Sequence, residues 1–115
     1  MYAQLTYFDG PRSPALIAAA DRAGRDRIEP AIMARADLRE DLVAVYELRR
    51  PDGGQLTVVI VEHEDSLDKA VEVIMGTELL PGEDPALLPG PDRMERFEVV
   101  RSFDALTLAG PAQVR

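Results

Sequence analysis

The chain contains no cysteine, no tryptophan and no asparagine, and it has one histidine and one lysine among 115 residues. Without cysteine there are no disulfide staples, no thiolate-held zinc or iron–sulfur cluster and no thiol nucleophile. No apolar run approaches the ~20 residues that a membrane-spanning helix needs. The opening MYAQLTYFDG has no basic segment followed by an apolar one, so it carries no readable secretory signal and the cytoplasm is the expected location. Positive charge is also scarce. Thirteen basic residues stand against twenty-one acidic ones, for a net charge of −8, and residues 1–50 are balanced at eight of each, so the excess lies in the remainder. Nucleic-acid binding needs cationic surface to displace counterions from phosphates, so neither nucleic acid nor an anionic membrane is an expected partner. The glycines form no GxGxxG or phosphate-loop pattern, and serines 13, 66 and 102 sit in no nucleophile-elbow motif.

The length suits one domain with one core. YAQLTYFD (2–9) mixes tyrosine, phenylalanine and threonine and is broken by DGP, which reads as a first strand. Ser13 followed by Pro14 is an N-cap and first-turn pair, and Leu16, Ile17, Ala20, Gly24, Ile28, Ala31 and Ile32 then recur at helical spacing. One amphipathic helix is expected over roughly 14–35, turning Asp21, Arg22, Arg25 and Asp26 to solvent, with an interruption at Pro30. LVAVYELRR (42–50) and QLTVVIVEH (55–63) flank PDGG and read as a β-hairpin. Asp65 or Ser66 is placed to cap a second helix, in which Leu67, Ala70, Val71, Ile74 and Glu78 share a face. DRMERFEVVRSF (92–103) supplies the last strand, and residues 104–115 follow the domain as a tail containing Leu106 and Leu108. Between second helix and last strand, LLPGEDPALLPGPD (79–92) holds four prolines and four leucines. That composition predicts an ordered, proline-stiffened loop packed over one end of the sheet.

The order βαββαβ gives an α+β, ferredoxin-like domain over residues 1–103: a four-stranded antiparallel sheet with two helices on one face. Such a sheet should alternate apolar and polar along its strands. This one does not: Leu56, Val58 and Ile60 lie on one face of their strand and Thr57, Val59 and Val61 on the other, and Leu42, Ala44 and Tyr46 alternate with Val43 and Val45. Helices shelter only one face, so the simplest cover for the second is another copy of the chain, giving a homodimer.

Element order, size and the two-sided hairpin resemble the dimeric α+β barrel superfamily, and within it the antibiotic-biosynthesis-monooxygenase-like small proteins, over residues 2 to about 101. The resemblance implies a cofactor-independent enzyme of monooxygenase, isomerase or cyclase type, acting on a small aromatic or polyketide-like molecule in an apolar cavity of a homodimer. The alternative is a non-catalytic small-ligand-binding or interaction module of the same fold. The quinone-forming and haem-degrading relatives use tryptophan and asparagine in the cavity, which this chain lacks.

Candidate site residues are therefore weighed from their own chemistry. His63, between Glu62 and Glu64 at the end of the third strand, suits proton abstraction near neutral pH; its ordinary reading is a surface residue at a strand end. Tyr7 and Tyr46 offer a flat apolar body with one hydroxyl and are candidate orienting groups, or else plain sheet residues. Together His63, Tyr46 and Tyr7 form the candidate catalytic set, with residues 79–91 as a rim or lid. Arg22, Arg25 and Arg27 on the first helix, and Arg49 and Arg50 at the hairpin end, have the chemistry to bind a carboxylate or simply to be solvated. No cofactor is expected. In EHED (62–65) neighbouring strand side chains point to opposite faces, so no metal is expected there either.

Overall fold

The computed structural model describes residues 1–105. Residues 106–115, including Leu106 and Leu108 of the expected tail, lie outside the described residues. Strand β1 (Tyr2–Phe8) is followed by helix α1 (Pro14–Arg22), a π-helical segment (Ala23–Ile28), α2 (Glu29–Met33) and α3 (Ala36–Asp41). Strands β2 (Leu42–Arg49) and β3 (Gln55–Val61), helix α4 (Asp65–Met75), a single 3₁₀ turn (Pro85–Leu87) and β4 (Arg93–Glu98) complete the order. The strands form one antiparallel sheet, β2-β3-β1-β4, so the fold is the expected ferredoxin-like α+β arrangement.

Local sequence explains most of these elements. Ser13 caps α1 by accepting from the Leu16 amide at 3.2 Å, with Pro14 in the first turn. The interruption expected at Pro30 takes the form of the π segment, which widens the turn preceding the proline and so accommodates a residue that cannot donate to the helical ladder. The hairpin turn closes through Arg50 N–H to Gly54 O (2.7 Å) and Gly53 N–H to Arg50 O (3.0 Å). Gly53 has φ +93°, and a Cβ there would stand 2.6 Å from Arg12 O, so both backbone angle and space require glycine.

Three expectations need correction. Helix α3 was not foreseen: it is six residues long and only Leu38 turns inward, too little for a periodic signal. Helix α4 has no side-chain cap of its own; Asp65 and Ser66 lie inside it, and it ends at Met75, short of Glu78. The proline loop is ordered, but the sheet end holds only its last residue, through Asp92 N–H to Tyr7 O (2.8 Å) and Asp9 N–H to Asp92 Oδ2 (2.7 Å), while the first helix holds its beginning. Arg27 donates to Glu83 Oε1 at 2.9 Å and to Thr77 Oγ1 at 2.6 Å, and Arg22 donates to Pro81 O at 2.7 Å. Arg22 and Arg27 are thus loop anchors and not a solvated face; the Arg27 and Glu83 side chains are only 11% and 2% exposed.

The register assigns every strand residue to a face. Gln4 and Arg96 meet α4 through Asp68, and Arg49 meets α1 through Asp21, so both helices lie on one side. That covered side holds Gln4, Thr6, Glu47, Arg49, Gln55, Thr57 and Arg96 among its residues. The open side holds Ala3, Leu5, Tyr7, Ala44, Tyr46, Leu48, Leu56, Val58, Ile60 and Phe97, and its only charged strand members among the described residues are Arg93 and Glu95 on edge strand β4. A bulge at Leu42–Ala44 moves Leu42 to the helix side opposite Val61, away from the face it was expected to share with Ala44. The buried apolar side chains among the described residues are Ala3, Ala23, Leu38, Val61 and Leu67, so the core sits chiefly where α3 and α4 meet the sheet.

Candidate functional site

Tyr7 and Tyr46 both stand on the open face, as their pairing with Leu56 and Val58 requires. Two strand spacings and two residues of rise separate them, about 12 Å between Cα atoms, so they do not form one cluster. Tyr46 is 56% exposed. Tyr7 carries the Arg93 guanidinium over its ring, 3.8 Å from the centroid. Burial and then a hydrogen bond to Glu95 push the Tyr7 phenol above its ordinary value, so it remains a proton donor at neutral pH.

His63 lies beyond the opposite end of β3, roughly 20 Å from Tyr7 along the strand direction. Its side chain is 77% exposed, and its Nδ1 lies 2.6 Å from Asp41 Oδ1, while its backbone amide donates to Asp41 Oδ2 at 3.0 Å. Hydrogen bonds from the Ser66 hydroxyl first, then from His63, hold the Asp41 carboxyl at about 2, well below its usual range. Asp41 is therefore ionised and can only accept, which fixes the proton on His63 Nδ1 and directs Nε2 to solvent. The hydrogen bond to Asp41 and that carboxylate's charge raise the His63 pKa above its ordinary value. Asp41 also ties the end of α3 to the start of α4: its carboxylate accepts from the His63 amide just ahead of that helix and places negative charge at the helix's N-terminal end. Sequence reasoning missed Asp41 because the two partners are 22 residues apart and no local motif joins them.

Two recesses among the described residues bear on the candidate side chains. The larger, about 370 Å³, lies between the π segment and the end of β2 and is lined by Asp21, Gly24, Arg25, Glu29, Glu47 and Arg49 among others. It is charged, because the helix-facing side of β2 carries Glu47 and Arg49. The second, about 250 Å³, opens at the hairpin end of the open face; Tyr7, Leu48, Arg50, Leu56 and Arg93 contribute to its wall. His63 and Tyr46 line neither. Among the described residues no group of three or more histidine or acidic side chains is placed to hold a metal, and no helix is long and apolar enough to cross a membrane.

No family model matches the chain, and no curated protein matches it in sequence. Among solved structures the chain is similar to the crystal structure of a dimeric ferredoxin-like protein from an uncultured marine organism, with 12% sequence identity, a TM-score of 0.54, and coverage of 88% of this chain and 92% of that one. At that identity the likeness establishes the ferredoxin-like fold.

Proposed function

We propose that the protein acts as a homodimer, its two sheets apposed through their open faces, and that it is a small-ligand-binding module. One observation carries this reading: the uncovered side of the sheet is the more apolar of the two. Tyr46, Leu48 and Phe97 are each half-exposed there at 56%, 50% and 51%. Chains rarely leave such a contiguous patch in water. The dimeric state of the similar ferredoxin-like protein supports the same reading. Native mass spectrometry of protein purified without denaturation tests it. Two chains carrying a retained small molecule are expected; a single chain across micromolar concentrations would end the proposal.

A cofactor-free enzyme, of the monooxygenase, isomerase or cyclase type, is the second reading, favoured by the way Asp41 orients His63 with Nε2 outward. His63 and Tyr7 stand at opposite ends of one sheet, so acting together would require residues from both copies. Substituting His63→Gln in a dimer that turns over a candidate aromatic substrate should abolish turnover; undiminished turnover would remove His63 from the chemistry.

A further inference from the structure

The recess at the hairpin end of the open face combines an apolar floor with an unanswered cation. Leu48 and Leu56 are direct partners across β2 and β3, and Tyr7 is the partner of Leu56 on β1, so three apolar bodies form one surface. Arginines 49, 50 and 93 stand around it, and Asp9 is the only acid in its wall among the described residues, within a chain of net charge −8. Two of the three cations are already matched. Arg93 lies on the Tyr7 ring and pairs with Asp9 at 3.1 Å, and Arg49 reaches Asp21 at 2.6 Å. Arg50 is different. Its backbone is pinned by both hydrogen bonds of the hairpin turn, yet its guanidinium has no partner among the described residues. Every other arginine among the described residues has a hydrogen bond, an ion pair or a ring contact, from Arg12 on Gly53 O to Arg101 over Phe103.

We propose that this recess binds a small planar carboxylate, with its flat apolar body on Leu48, Leu56 and Tyr7 and its carboxylate on the Arg50 guanidinium. The fork of guanidinium donors matches two carboxylate oxygens, a geometry that an ammonium would not provide. A volume of about 250 Å³ accommodates a body of one or two rings. The site lies on the face that a second copy would roof, so apposition would complete the removal of the ring from water. The inference rests on reading the chain as a small-ligand module and adds the ligand's chemistry and its anchor.

The test uses 2-naphthoate and its uncharged counterpart 2-naphthamide, titrated calorimetrically into the full chain, with sedimentation run alongside. Saturable naphthoate binding is expected, with naphthamide weaker by roughly tenfold or more, as a charge-assisted hydrogen bond requires. Arg50→Gln should lower naphthoate to the amide's affinity, and Arg50→Lys should recover only part of the loss. Equal affinity for acid and amide, no saturable binding, or indifference to Arg50→Gln overturns the site. If Arg50→Gln instead weakens the dimer without altering naphthoate affinity, the cation belongs to the interface between copies, and the inference fails while the dimer stands. A chain that stays monomeric and still binds naphthoate through Arg50 separates the outcomes in the other direction.

Discussion

Tyr46→Glu is the sharpest probe of the open face, because Tyr46 is 56% exposed in the single chain and the substitution removes little that the protomer itself needs. An aromatic side chain presents ~200 Å², so each copy has about 110 Å² of Tyr46 still to bury. Two copies offer about 220 Å², which at ~25 cal/mol per Å² corresponds to about 5.5 kcal/mol of association free energy. Since ~1.4 kcal/mol is a factor of ten, losing it raises the dimer dissociation constant by about four decades, before any cost of bringing two carboxylates out of water. The protomer should keep its circular dichroism spectrum, and its stability should fall by less than about 1 kcal/mol, the span of strand propensities. Sedimentation equilibrium of parent and variant over a wide concentration range reads the result directly. If the parent dimerises and Tyr46→Glu dimerises equally well, the open face is not the interface. If the parent is a monomer throughout, the apolar face is bare and the energetic reasoning is wrong.

Other consequences are checkable by denaturation. Asp41, held at about 2 from a usual value near 3.8 with its side chain 13% exposed, contributes on the order of 2 kcal/mol that is present above pH ~4 and disappears as pH falls toward 2. His63 has the opposite sign: its pKa is raised, so its contribution is complete below pH ~6.5 and disappears as pH rises through the folded value. Stability measured against pH should therefore be greatest between those limits in this respect, and Asp41→Ala should flatten both flanks. Arg27→Met, which strands the buried Glu83 carboxylate, should cost about 3–5 kcal/mol, and adding Glu83→Leu should recover much of it, since an apolar pair can replace a buried ion pair. Gly53→Ala, at φ +93° and with Arg12 O in the way, should lose at least ~1 kcal/mol, read as a lower urea midpoint with an unchanged slope.

The parts of the fold legible in the sequence are those specified by neighbours in the chain. The Ser13–Pro14 start, the PDGG reversal and the two-sided hairpin each depend on a few consecutive residues, and each appears where that chemistry requires it. Helix α3 was illegible because six residues with one inward leucine produce no periodicity. The roles of Asp41, Arg22 and Arg27 were illegible because their partners are 22 to 59 residues away, and an arginine bound for a loop carbonyl looks in sequence like an arginine bound for water. The candidate site was the least legible. Alternation gives the face of Tyr7 and Tyr46, but the strand order that separates them is a property of the whole sheet.

The distribution of polarity across the sheet has a further meaning. In a self-sufficient domain the side under the helices would carry the apolar rows and the open side the polar ones. Here Arg49–Asp21 and Arg96–Asp68 attach helices to sheet at the margins, while the longest apolar rows face outward. Exposed ion pairs fix geometry but contribute little stability, and the buried apolar set among the described residues of one copy is small. The sheet is thus a core with only one side filled by its own chain, and the free energy still to be gained lies on the other side. At the hairpin end of that side, where Leu48, Leu56 and Tyr7 reach the turn, the apolar surface meets the guanidinium of Arg50, unpaired among the described residues. A second copy would supply apolar cover generally; answering that one charge would take an anion, which is why the ligand proposed there is a carboxylate rather than a neutral ring.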